Sequence, residues 1–571
     1  MAKRIHYEVF VQRAGSVQWV LHEPHEDRAQ AMNAAKYALL QQDFSGAKVV
    51  KETQNLETGE YQPITIFEEG LTETAKRSKE DVKLPCVRPQ DLYTAHARAL
   101  IGRVLEDSLD RWGVTVKELL HRADLLEELQ ASGTVLQHAM QKWAVTQSTS
   151  QNLPVTELMK QLGDLVARGM ERVFRDDRAK MFPKIKSGKL PKAWEATSKA
   201  SERGYAISGG IAKSLTSATR WSDKLSLLLS YMENLPADPQ GHDICLNAID
   251  DFVAEMIGGR AAMEDLLGKQ PDLGASIKLL VDLFLGDLKN PEIANDEGLA
   301  RLAKYFGEDK LTHSKTAVIT RVLGELNSMK RLSPTDIKRE VELTRLLAKR
   351  MVLCQGPLAS IEDIVDAFEK RCNRLTNPEV AEEYMSEAVT PDERIDLLLD
   401  LEDNIIGGGN KAKLVSFIAP ILTGPKMEPL FLDAEQPILR RLSRLASLQA
   451  RVLKSGFPEL EKEKIAEDFD GLSAKVEASA KLFHSISGRK VNAAEKAMTL
   501  LRLLNAGVLT KGSVSKNAAR HIASYMKTPG FRKDLEAVQF PEENGVAPDP
   551  VEEFRRLMAK GQVQSMLKEA S

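Results

Sequence analysis

A chain of 571 residues, 43% of them hydrophobic and 28% charged, can bury a sizeable core without a metal or disulfide to hold it together. Its formal net charge of −3 excludes the overall positive field that gathers nucleic acid or anionic membrane. Cys86, Cys245, Cys354 and Cys372 stand too far apart for a zinc ribbon or a disulfide framework, and aromatics at 5% favour leucine- and alanine-rich helices over stacked sheets.

The opening MAKRIHYEVFVQRAG places charges inside any would-be apolar run, which argues against a secretory signal. No apolar stretch approaches the roughly 20 residues of a bilayer span, so the expected location is cytosolic. Residues 1–70 read as a ββαββ module: HYEVFVQ and VQWVLHE flank RAGS, AKVVKETQ and EYQPITIF flank NLETG, and a helix with a stripe of Ala29, Met32, Ala35 and Leu39 lies between the two hairpins. Residues 71–90, charged and without helical period, read as a linker.

From 91 onward the pattern is helical, divided into a domain at 91–330 and a second, with hairpin-like units, at 331–530. Helix starts are predicted where a hydroxyl precedes an acid by three residues: Thr115 with Glu118, Ser333 with Asp336, Ser360 with Asp363, and Thr390 with Glu393. Gly113 is expected to end the helix whose apolar face holds Ile101, Val104, Leu105, Leu109 and Trp112. Three segments, 223–235, 393–405 and 495–507, share an acid, a basic residue and a central leucine pair. Their unequal spacing excludes a regular solenoid and suggests related hairpins within larger bundles. Residues 531–571 read as an acidic flexible tail ending in a short amphipathic helix. The fold class is mainly α, a multi-helix bundle or irregular helical-hairpin array, with the small N-terminal α+β module.

Candidate chemistry is sparse. The glycines of LEDNIIGGGNKAKLVSF (401–417) lack the spacing and hydroxyl of a phosphate-binding loop, so Gly407 to Gly409 are read as a chain reversal with Asn410 capping the next helix. His242 with Cys245, and His22 with His25, offer two ligand types each where a metal centre needs three or four. No catalytic residue, metal set or cofactor motif emerges.

One segment stands above background. Residues 180–203 carry Lys180, Lys184, Lys186, Lys189, Lys192, Lys199 and Arg203 against Glu195 and Glu202, a local balance of +5. With Phe182 and Trp194 as stacking faces, the five lysines from 180 to 192 are the candidate anion-binding residues. The leading functional expectation is a cytosolic scaffold or adaptor that binds a protein partner. Its alternatives are a regulator that takes an anionic ligand or nucleic acid on 180–203, and an enzyme whose site is assembled across helices.

Overall fold

The computed structural model describes residues 3–13, 19–39, 44–55, 61–69, 86–151, 153–186, 189–288, 297–433, 435–538 and 549–569. The expected turns at 13–16 and 55–59, most of the linker, and residues 539–548 of the tail therefore lie wholly or largely outside the described residues. The chain forms two compact units, Met1–Phe182 and Pro183–Ser571.

The first unit opens with the expected ββαββ module: β1 (Lys3–Arg13), β2 (Trp19–His25), α1 (Arg28–Leu39), β3 (Phe44–Asn55) and β4 (Tyr61–Glu69). The strands are antiparallel in the order β2-β1-β3-β4, so β2 and β4 are the edges, and Pro24 and Pro63 sit on edge strands, where a missing N–H is tolerated. Val9 and Val11 of β1 and Ala47 and Val49 of β3 pack with Ala31, Ala35 and Ala38 of α1. The buried face meets the predicted stripe at Ala35, with Met32 and Leu39 packed against its edge, while Ala29 is exposed. With alanine or methionine at six positions, 29, 31, 32, 34, 35 and 38, the period is clear but the phase is not.

Helices Ala95–Trp112, Ala123–Ala131, Thr134–Gln151 and Val155–Arg178 follow. Gly113 ends the first of them at φ 63°, with its N–H and that of Val114 donating to the carbonyls of Asp110 and Leu109. Thr115 and Glu118 form the predicted reciprocal cap at 3.1 and 3.0 Å.

In the second unit one apolar cluster runs from Leu190 to Phe368 and another from Val341 to Val563. The three leucine-rich segments lie on helices Trp221–Met232, Pro391–Glu402 and Ala493–Asn505. They bury equivalent positions: Leu225, Leu228 and Leu229; Ile395, Leu398 and Leu399; Ala497, Leu500 and Leu501. The caps at Ser360 and Thr390 form as expected. Ser333 does not start a helix. Its N–H donates to buried Glu340 at 2.6 Å, and the helix Ile337–Met351 begins with Asp336 as N-cap. Past residue 549 the chain forms helices Pro550–Lys560 and Val563–Glu569, which bury Phe554, Met558 and Val563 in the second cluster.

Candidate functional site

The helices between 95 and 178 enclose a cavity of about 150 Å³. Its walls are apolar: Leu100, Ile101 and Val104 from Ala95–Trp112, Leu126 and Leu129 from Ala123–Ala131, and Leu162, Leu165 and Val166 from Val155–Arg178. The fourth side is Thr134–Gln151, which contributes Leu136, Ala139, Met140 and Trp143. Of these only Ala139 is fully buried, so this helix brings a small side chain to the centre and leaves its larger ones near the rim.

Polar groups are few at this wall. The Cys86 thiol lies 3.8 Å from the Asp91 carbonyl, and burial with the nearby Asp91 charge pushes its pKa up, which keeps it a neutral thiol. The Tyr93 hydroxyl donates to the Leu120 carbonyl at 3.1 Å. Gln161 is exposed and marks where the cavity opens.

Behind Tyr93, its ring 5.0 Å away, lies the buried imidazole of His121. Its Nδ1 is 2.7 Å from the Lys117 carbonyl, which can only accept, so Nδ1 carries the proton. Burial pushes the His121 pKa down to about 3, the Lys117 carbonyl works against that, and the charges of Lys117, Arg98 and Arg172 add to it. Between that value and the ordinary 6.5 the unfolded chain binds a proton that the folded chain refuses, so stability falls as pH falls through this window. Taking the protein from pH 7 to pH 5 is expected to cost about 2 kcal/mol through this group. Denaturation at the two pH values should show the loss, and His121→Gln should remove that part of the difference.

The five candidate lysines are all exposed, and no ion pair or hydrogen bond of their ammonium groups occurs among the described residues. Lys180 belongs to the first unit and Lys184, Lys186, Lys189 and Lys192 to the second. The expected stacking faces are not available, because Phe182 and Trp194 are 4% and 3% exposed. Trp194 donates to Asp238 at 3.2 Å and is covered by the Arg203 guanidinium 3.3 Å from its ring centre, so Arg203 is also taken up internally.

The glycine-rich stretch is a joint. Gly407, at φ 95°, reverses the chain before the helix Gly408–Val415, and no strand precedes it. Asn410 is not the cap: its side-chain amide donates to the carbonyls of Glu369 and Ile406 at 2.9 and 2.8 Å, while Lys411 pairs with buried Glu402. His242 is exposed while Cys245 is fully buried, its thiol pushed up to about 12 by burial, so the two do not share a ligand face. His22 is exposed, and His25 Nε2 lies 3.4 Å from Glu23 Oε1.

Three ligand-type side chains do gather on the sheet face away from α1. His6 Nε2 lies 3.4 Å from Glu8 and 3.8 Å from Glu52, which is its direct cross-strand partner. These are the described residues best placed to hold a divalent ion, and as they stand they form a cross-strand polar cluster.

No family model matches this chain, and no curated protein matches it. Among solved structures, a "circular tandem repeat protein with novel repeat topology and enhanced subunit contact surfaces" aligns at 13% identity over 88% of this chain and 100% of that one, with a TM-score of 0.19.

Proposed function

We propose that the chain is a helical scaffold or adaptor that binds a protein partner through the N-terminal module. The observation that carries this reading is β2, an edge strand on which Val20 and Leu21 are 51% and 49% exposed. An edge with exposed apolar residues is a template for an added strand, with main-chain hydrogen bonds giving affinity and alternate side chains giving choice of partner. The second unit fits a supporting role, since its buried charges are engaged at helix ends: Arg371 with Glu340, Asp250 with Ser314, and Asp470 with Ser513.

A second reading, anion binding on 180–203, is supported by the exposed, unpaired lysines. One experiment separates the two. Partners captured by the full chain are compared with those of Val20→Lys/Leu21→Lys and of Lys184→Gln/Lys186→Gln/Lys189→Gln. A partner whose affinity drops at least tenfold with the β2 variant and is unmoved by the lysine variant is the expected result. The opposite pattern, with binding that weakens as salt rises, would overturn the adaptor reading in favour of the anion site.

A further inference from the structure

We infer that the cavity between helices Ala95–Trp112, Thr134–Gln151 and Val155–Arg178 binds a small apolar molecule, the size of one aromatic ring or a short alkyl chain. Its volume of about 150 Å³ sets the size of the occupant. A protein cavity of that volume lined by aliphatic residues stays dry and admits benzene, whereas a partner's helix, roughly 10 Å across, does not fit.

The lining sets the chemistry. Leu100, Ile101, Leu129, Met140, Leu162 and Val166 present no charge. Three polar side chains at the wall are already engaged: Tyr93 with the Leu120 carbonyl, Cys86 with the Asp91 carbonyl, and Gln161 with Glu157. A water needs two to four polar partners and a carboxylate needs more, so neither is well held here. An apolar ring or chain loses only its own contact with water, and exposed Gln161 places the opening through which it enters. Val20 and Leu21 take no part, so the inference stands apart from the adaptor reading.

The test is a titration of the full-length protein into 4-fluorotoluene, followed by the ¹⁹F resonance of the probe. Saturable binding with a dissociation constant below about 1 mM is expected, and 4-fluorobenzoate should bind at least tenfold more weakly. Ala139→Phe places a ring in the cavity and should remove the binding; Met140→Trp, at a partly buried position, does the same if phenylalanine at 139 prevents folding. The inference is overturned if the wild type gives no saturable shift, if a folded blocking variant binds as well as the wild type, or if benzoate binds as tightly as toluene.

Discussion

Arg371→Met is expected to destabilise the second unit by about 3–5 kcal/mol, read as a lower denaturant midpoint, because it leaves a buried carboxylate and several carbonyls without their donor. Arg371 is 1% exposed. From helix Ile361–Leu375 its guanidinium donates to the carbonyls of Glu325, Leu326 and Ser328 at 3.0, 3.0 and 3.3 Å, and to that of Lys330 at 3.0 Å. The first two belong to the last turn of Thr312–Asn327, where a cation also meets the negative end of the helix dipole. Its remaining partner is Glu340 at 3.3 Å, the carboxylate that accepts from Ser333. Arg371→Lys should recover little, since an ammonium cannot spread donors across these positions as a planar fork does. Adding Glu340→Gln to Arg371→Met should cost less than the sum of the single changes, because the stranded charge is removed with its partner. Equal midpoints for Arg371→Met and the wild type would show that the network contributes nothing.

That network also marks the limit of what the sequence reveals. Gly113, Thr115 with Glu118, and Thr390 with Glu393 are legible because the groups that act lie within three residues of the backbone they serve. Ser333 fails as a predicted cap because Glu340, seven residues on, takes its N–H. Asn410 fails because Glu369, 41 residues back, takes its amide. Local grammar cannot report a partner that the fold brings from elsewhere. Trp194 is a similar case: a basic neighbourhood suggests a surface aromatic, but Asp238 and Arg203 draw it inward.

The cavity is illegible in the sequence for another reason. A void is a shortage of volume relative to neighbours, and only the packed helices define it. The faint signal is the composition of TVLQHAMQKWAVTQSTSQ, where alanine occupies the fully buried positions among the described side chains, 139 and 144. The lysines, by contrast, are as exposed as a charged loop suggests.

Asp470→Ala is the second change expected to have a large effect, about 2–4 kcal/mol, and its cause is a cap supplied from another helix. The helix Ser513–Met526 starts after Gly512, which has no side chain to cap it. Asp470 of Glu459–Ala480 does so instead, accepting from Ser513 N–H at 2.5 Å, the Ser513 hydroxyl at 2.6 Å and the Thr510 hydroxyl at 2.7 Å. Gly512 sits at φ 143°, and a Cβ there would meet the Asp470 carboxylate at 2.5 Å, so Gly512→Ala should also destabilise by crowding the same group. The device recurs. Asp250 of Pro239–Gly258 accepts from His313 and Ser314 N–H at 2.7 and 2.8 Å, starting Thr312–Asn327, whose own N-cap is Leu311. Asp470→Ala should therefore speed hydrogen exchange of the amides at 513–516 and leave those at 313–316 protected, while Asp250→Ala should do the reverse. If either variant opened both helix starts equally, the caps would be acting through global unfolding and not as two separate fastenings.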